Sequence, residues 1–525
     1  MPSPAFLLRQ LPLGRRRGFL LLQTCRAPVT QGRTIAGAAT GVAEAERRIK
    51  TFEDLPGPSL LQNMYWVLLR GYLLYSHELQ FVFKKKYGPV WKTSFGQYKV
   101  VNVADVDLLE TILRQEGKYP MRCDMDSWKM HRRMRDLANG PLTEEGHKWH
   151  TLRTVLNKRM LRPQEAVLYT ASVNEVVTDF LVRLEEMRKE SPSGVMVNDL
   201  PNAFYRFAFE GISYILFETR IGCLKSQIPA ETQQFISSIG NMLKYSIFLY
   251  IFPEWMNKVL PFFRLYIQSW DNIFAFAKKL IDQKMRLIQD RLDRGEEVQG
   301  EYLTYLLSSR QLTDKEVNGS VAELLLAGVD TTSNTLCWAL YHLAQDPEVQ
   351  DVLYKEVTEV IPGETIPTAE DLTKMPLLKA VIKEALRLYP VIPTNSRVAV
   401  EKPIALGDYS FPTGTLFGLC HYVIARDEAN FHEPNKFIPQ RWLRQDRVKN
   451  NPFSSIPFGY GIRACVGRRI AELEMHMALS RIIQKYELKP DPKGGKIKSI
   501  ARVVLAPNKD LNLQFLKRES TSCSA

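Results

Sequence analysis

The chain has no C-x-x-C pair. Its seven cysteines, at positions 25, 123, 223, 337, 420, 465 and 523, lie far apart. That spacing excludes a disulfide framework and a zinc-finger arrangement, and it suits a reducing compartment. Also missing is any apolar run approaching the 20 or so residues that cross a bilayer, so a membrane partner must be held by a surface patch rather than an anchor. There is no internal repeat and no low-complexity tract. The net charge is +13, yet no basic stripe interleaved with aromatics accompanies it, which excludes nucleic acid as partner.

The charge is unevenly spread. Residues 1–43 carry six arginines (positions 9, 15, 16, 17, 26 and 33) and no Asp, Glu or Lys. Their longest apolar run, Phe19-Leu20-Leu21-Leu22, is too short for a secretory signal. Arg-rich, acid-free and containing Ser and Thr is the pattern of a mitochondrial transit peptide. The expectation is a leader over 1–45, removed between Arg33 and Glu46, ahead of one domain over 46–525.

With 45% hydrophobic and 24% charged residues, that domain can build a large core. Val90–Phe95 and Tyr98–Val103 read as a hairpin around Gly96-Gln97. Helical periodicity dominates from about 140 to 390. Strand-like stretches return around 396–420, at Arg502–Leu505 and at Leu511–Leu516. The reading is mainly α with a small β portion.

The stretch Phe458-Gly459-Tyr460-Gly461-Ile462-Arg463-Ala464-Cys465-Val466-Gly467 fits F-x-x-G-x-R-x-C-x-G at all five fixed positions. At about one in twenty per position, chance would produce this in roughly one of six thousand such chains, so it calls for a chemical reason. Gly461 and Gly467 would permit turns that a side chain obstructs. Arg463 can neutralise a haem propionate. Cys465 precedes an amphipathic helix around Ile470–Met477, whose free N–H groups favour a thiolate able to hold iron. The motif resembles that of the cytochrome P-450 superfamily, the haem-thiolate monooxygenases. The resemblance implies a single haem-enclosing domain, haem b, and Cys465 as the metal ligand.

A second segment, Val317 to Gln345, is apolar almost all round, as a helix crossing an interior would be. Thr313 and Glu316 make a capping-box pattern at its start, and Asp346-Pro347 stops it. In its middle Asp330 and Thr331 interrupt the apolar surface, a costly choice unless they are paired or functional. Without function, Thr331 would bond back to the preceding turn and Asp330 would sit in a salt bridge. The resemblance implies instead that the two pass protons to iron-bound dioxygen and that Ala327-Gly328 line the oxygen pocket.

The resemblance extends to the scaffold. Glu384-Ala385-Leu386-Arg387 matches E-x-x-R, and Arg441, in Pro434–Trp442, completes a structural triad with Glu384 and Arg387. Bidentate geometry explains why Lys would not serve there. Trp149 and Arg153, at i and i+4, and Arg397 are the further propionate contacts implied.

Past the cysteine, Arg468-Arg469-Ile470-Ala471-Glu472 is similar to the mitochondrial branch, which takes electrons from a [2Fe–2S] ferredoxin reduced by an NADPH-dependent reductase. Lys379 and Lys383, one turn apart, match its docking lysines, with Arg468 and Arg469 beside them; a basic patch steers an acidic carrier. The chain is most similar to the sterol 27-hydroxylase family from about residue 52 onward. The most specific strings are Arg114–Pro120, Ala327–Leu336 and Pro390–Arg397. This implies hydroxylation of a sterol side chain with O2 on the matrix side of the inner membrane. Trp128, Ala327, Val391, Thr394 and Val504 are the implied substrate pocket. Relatives act on vitamin D and retinoids, so a vitamin D hydroxylase or retinoid desaturase is the alternative, and a non-catalytic haem-binding protein the remote one. Tyr245–Trp255, an apolar stretch of 11 residues, either dips into one leaflet or packs on the core.

Overall fold

The computed structural model describes residues 49–95, 98–251, 259–296, 302–309, 311–443 and 451–518. The expected leader lies outside them, as do Gly96 and Gln97. Helices of nine residues or more are α1 Ser76–Tyr87, α2 Val106–Arg114, α3 Asp126–Arg135, α4 Gly146–Met160, α5 Thr170–Glu190, α6 Leu200–Phe217, α7 Ala230–Ile251, α8 Pro261–Asp293, α9 Asp314–Gln345, α10 Pro347–Val360, α11 Pro376–Leu388 and α12 Arg468–Lys485. The strands are β1 Val90–Phe95, β2 Tyr98–Val103, β3 Met196–Val197, β4 Asn395–Val398, β5 Ile404–Leu406, β6 Tyr409–Phe411, β7 Leu416–Leu419, β8 Tyr486–Pro490, β9 Ser499–Ala501, β10 Leu505–Pro507 and β11 Leu513–Lys517. The protein is mainly α with a small β portion.

The helix α9 organises the core. Its start is capped reciprocally: Thr313 Oγ1 accepts from Glu316 N at 3.3 Å, and Glu316 Oε2 accepts from Thr313 N at 2.8 Å. At its end Asp346 caps the next helix through Val349 N at 3.1 Å, with Pro347 in the first turn. Between these signals the side chains of α9 are buried on nearly every face, which requires neighbours all round. Close approach to α6 depends on Gly328, where a Cβ would stand 2.9 Å from Ile212 Cγ1. A buried pair, Arg132 of α3 with Glu323 of α9 at 3.4 Å, ties these helices together. Thr143 Oγ1 and the Leu142 and Thr143 N–H groups also donate to Glu323.

The largest sheet runs β1-β2-β7-β4, antiparallel except for the parallel β2–β7 pair. It brings Arg397 on β4 into fixed register, opposite Phe417. The expected strand at Arg502–Leu505 is corrected: Arg502 to Val504 form the turn between β9 and β10, closed by Arg502 N donating to Val504 O at 3.0 Å. The β-branched residues that suggested a strand occupy a tight reversal, with Val503 at φ 103°. Of the apolar stretch 245–255, Tyr245 to Ile251 end α7, where Ser246 and Leu249 are buried in the core. Its remainder, like Trp255, lies outside the described residues. Among the described residues no helix is long and apolar enough to cross a membrane.

Candidate active site

The cysteine loop is shaped by two glycines in left-handed conformation, Gly459 at φ 75° and Gly461 at φ 69°, which only glycine adopts freely. Cys465 N donates to Phe458 O at 2.8 Å, closing the loop. The expectation for Gly467 is corrected: its φ is an ordinary −86°, and among the described residues no atom beyond its own chain neighbours and adjoining helix backbone lies within 4 Å of where a Cβ would be. Gly459, not Gly467, is the second turn-forming glycine. Cys465 has accessible surface, yet so many protein atoms ring its thiol that burial raises its pKa. The Gly467 N–H opposes that rise first, followed by the charges of Arg153, Arg122 and Arg468. Accessible and densely surrounded together describe a thiol on an interior wall, not one on the outer surface.

Four arginines converge there. Arg153, one turn from Trp149 on α4, donates through Nη2 to Ala464 O at 2.8 Å. Arg463 stacks over the Trp149 ring at 3.9 Å and donates to Pro120 O and Glu144 O at 2.9 and 3.0 Å. Arg397 is paired with Glu116. Arg122, which sequence reasoning missed, donates to Arg463 O at 2.8 Å; the only signal for it was its place two residues past the Arg114–Pro120 string. Burial, and then mutual repulsion, lowers Arg122 to about 10 and Arg463 to about 9, while burial lowers Arg153 to about 10. Cations so crowded require anions. Moreover, Trp149 Nε1, Arg153 Nε, Arg122 Nε and Arg397 Nη2 are buried without a hydrogen-bond partner among the described residues, at a cost that an acceptor would remove.

On α9, Ala327, Gly328, Asp330 and Thr331 are partly accessible where the surrounding turns are buried. Thr331 Oγ1 donates back to Ala327 O at 2.8 Å, the structural alternative for this residue, leaving its lone pairs free. Asp330 does not sit in a salt bridge: its carboxylate has no hydrogen-bond partner among the described residues, and burial alone pushes its pKa up to about 7. An acid that titrates at neutral pH can both hold and release a proton.

The triad residues assemble. Arg387 Nε and Nη2 meet Glu384 at 2.9 and 2.7 Å, and Arg441 Nε meets it at 3.0 Å. Arg387 also donates to the carbonyls of Ala425, Pro434 and Lys436. Trp442 Nε1 adds a bond to Glu384 at 2.9 Å. All of this lies within an ion pair excluded from solvent, which holds the chain leading to Cys465 against α11.

Lys379 and Lys383 stand on the outer side of α11, half-buried and exposed respectively. His476 of α12, its pKa lowered to about 3, feels burial first and then both lysines, so the two helices share one basic face. Arg468 and Arg469 are exposed there but already pair with Glu472 at 2.9 and 3.3 Å. Among the expected pocket residues, Val391 and Val504 are brought together by Leu505 N donating to Val391 O at 2.8 Å. Thr394 accepts from Gln80. Trp128, buried on α3, meets Trp270 edge-on at 4.9 Å. A separate cavity of about 620 Å3 beside α5 is lined by Asp179, Arg183, Glu210 and Arg220 and by none of these residues; its arginines are already paired with neighbouring acids.

A thiol on an interior wall, ringed by arginines with unpaired N–H groups, is suited to a flat iron-bearing group with two carboxylates, the definition of a haem-binding protein. Comparison with known proteins makes the assignment specific. The family model described as Cytochrome P450 matches residues 55–515. The chain is 50% identical over 491 residues to "Sterol 26-hydroxylase, mitochondrial" of Homo sapiens, covering 92% of each. It is 42% identical over 492 residues to "25-hydroxyvitamin D-1 alpha hydroxylase, mitochondrial" of Homo sapiens, covering 92% of this chain and 96% of that one. The crystal structure of the cytochrome P450DA heme domain superposes with a TM-score of 0.74 at 20% identity, over 90% of this chain and 98% of that one, a likeness of fold. The chain belongs to the cytochrome P450 family of haem-dependent monooxygenases.

Proposed function

We propose that this protein is a mitochondrial monooxygenase that hydroxylates a sterol side chain at or near its terminal carbon, with haem b held by Cys465. The observation that carries the reading is the accessible Cys465 thiol set among Arg122, Arg153, Arg397 and Arg463, where the N–H groups of Arg122, Arg153 and Arg397 that lack a partner among the described residues fit two propionates. Trp149 would add a fourth donor from α4. Bound there, haem supplies the activation of dioxygen. The protein's own part is to favour the thiolate, against the burial that raises its pKa, through the Gly467 N–H and nearby arginines. Asp330, poised near neutral pH, receives a proton from solvent and passes it to the Thr331 hydroxyl, whose lone pairs face away from its bond to Ala327 O. Ala327 keeps that stretch of α9 narrow, while Trp128, Val391, Thr394 and Val504 would line the substrate.

Electrons would arrive from a [2Fe–2S] ferredoxin docked on Lys379, Lys383, Arg468 and Arg469. Peripheral contact with the inner membrane is supported by an apolar stripe: Leu60, Leu61, Met64, Tyr65, Leu68 and Leu69 recur at helical spacing and are all exposed, as on a helix that lies in an interface. Residues 1–45 would be the import leader and 46–525 the enzyme domain. The sterol assignment rests on the 50% identity to human sterol 26-hydroxylase; the 42% identity to the human vitamin D enzyme keeps vitamin D as second substrate class. The test is turnover with ferredoxin, its reductase and isotopically labelled dioxygen on a sterol, vitamin D and retinol. Label on a terminal side-chain carbon of the sterol is expected. Loss of two hydrogens without label would make the enzyme a desaturase, and turnover only with a flavoprotein reductase would overturn the ferredoxin assignment.

A further inference from the structure

The string Arg114–Pro120, one of those that carry the resemblance to the sterol 27-hydroxylase family, has no part in the proposed chemistry. Its residues form a strap between β4 and the cysteine loop. Pro120 O accepts from Arg463 Nε at 2.9 Å, and Met121 O accepts from Val398 N at 3.0 Å. Tyr119 meets His147 and His150 of α4 edge-on. On the outer side Lys118 N donates to Glu401 Oε1 at 2.8 Å, and Gly117 leaves no room for a Cβ against the same carboxylate.

Glu116 lies at the inner end of this strap. Its carboxylate takes Arg397 Nε, while Arg397 Nη1 is taken by Ser396 O at 2.8 Å and, at 3.4 Å, by Asn395 Oδ1. Nη2 is left buried and without a partner among the described residues. The other carboxylate oxygen, Oε2, stands 2.9 Å from where a Cβ on Gly461 would be, so the acid also abuts the cysteine loop. Arg122 and Arg463 act on the same carboxylate by charge.

We propose that Glu116 is a positioning residue for the cofactor: it clamps the Nε edge of Arg397 so that Nη2 is presented to a haem propionate, and it ties that clamp to the cysteine loop at Gly461. The proposal rests on the haem reading above. A carboxylate suits this role because it neutralises part of a crowded arginine group while fixing the guanidinium plane, which a neutral acceptor fixes less firmly.

The test follows haem transfer from holoenzyme to excess apomyoglobin, together with the spectrum of the reduced carbon monoxide complex. Glu116→Gln keeps size and removes charge; haem loss about ten-fold faster than wild type is expected, with the thiolate signature retained. Arg397→Gln should speed loss as much or more, and the double variant should lose haem no faster than Arg397→Gln alone. Glu401→Gln, which loosens the strap from its outer side, should stay within about two-fold of wild type. A Glu116→Gln rate equal to wild type overturns the proposal. So does a double variant that multiplies the two single effects, or a Glu401→Gln effect as large as that of Glu116→Gln. If Glu116→Gln cannot be isolated with haem, Glu116→Asp keeps the charge one methylene short; an intermediate rate is expected, and a wild-type rate overturns the proposal. Wild-type protein without a thiolate signature would instead defeat the haem reading itself.

Discussion

Replacing Asp330 by Asn tests both the energetics and the chemistry of the α9 interruption. Burial raises this carboxyl from an ordinary 3.8 to about 7, which corresponds to about 4 kcal/mol against its ionised form. Water reaching the partly accessible group reduces this, so about 2 kcal/mol is the working figure. The sign follows from linkage. Because the folded pKa lies above the unfolded one, the unfolded state loses its proton first as pH rises from about 4. The fold is therefore penalised increasingly up to about pH 7, and by a constant amount above it. Asn carries no such penalty. Asp330→Asn should melt about 2 °C higher than wild type at pH 8, at about 1 °C per kcal/mol for a chain of this length, with the advantage vanishing toward pH 4. Turnover should fall by about 10²–10⁴, the usual worth of a positioned proton donor, with substrate affinity little changed. Thermal melts between pH 4 and 8 alongside single-turnover rates check both. A melting advantage independent of pH, or unimpaired turnover, would refute the reasoning.

Arg387→Lys cannot reproduce five hydrogen bonds from one planar group; a loss of about 3–5 kcal/mol should appear as a collapse in the yield of soluble haem-bound protein. Lys379→Glu with Lys383→Glu should raise the KM for ferredoxin about ten-fold or more at low salt, converging on wild type at high salt; salt-independent kinetics would place docking elsewhere. Gly328→Ala drives a Cβ against Ile212 and should cost about 1–3 kcal/mol, read as a lower melting temperature that Ile212→Ala partly restores.

Much of the scaffold was legible in the chain because its signals are local. The capping residues Thr313 and Glu316, the Asp346-Pro347 stop and the hairpin halves Val90–Phe95 and Tyr98–Val103 act within a few residues of themselves. The glutamate and arginines of the triad were legible only through the family resemblance, because Glu and Arg at helical spacing pair on many surfaces. Arg502–Val504 misled for the same local reason: β-branched residues favour strands, but pairing of β9 with β10 forces the reversal onto them. Gly467 looked conformationally demanding, yet the turn is made by Gly459 and Gly461. Arg122 escaped because its partners, Arg463 and the cysteine loop, lie more than 300 residues away along the chain.

The sequence by itself determined the class of chemistry, since a lone cysteine in that glycine and arginine setting, ahead of a helix start, suits few tasks other than holding haem iron. It also determined the helical layout, through caps and periodicity that need no distant partner. Only the tertiary structure decided which arginines crowd the thiol, that Asp330 has no counter-charge among the described residues and titrates near neutrality, and that Glu116 pairs with Arg397 beside the cysteine loop. Those properties depend on burial and on contacts between distant segments, and the free energy of a charged group is set by what surrounds it rather than by its neighbours in the chain.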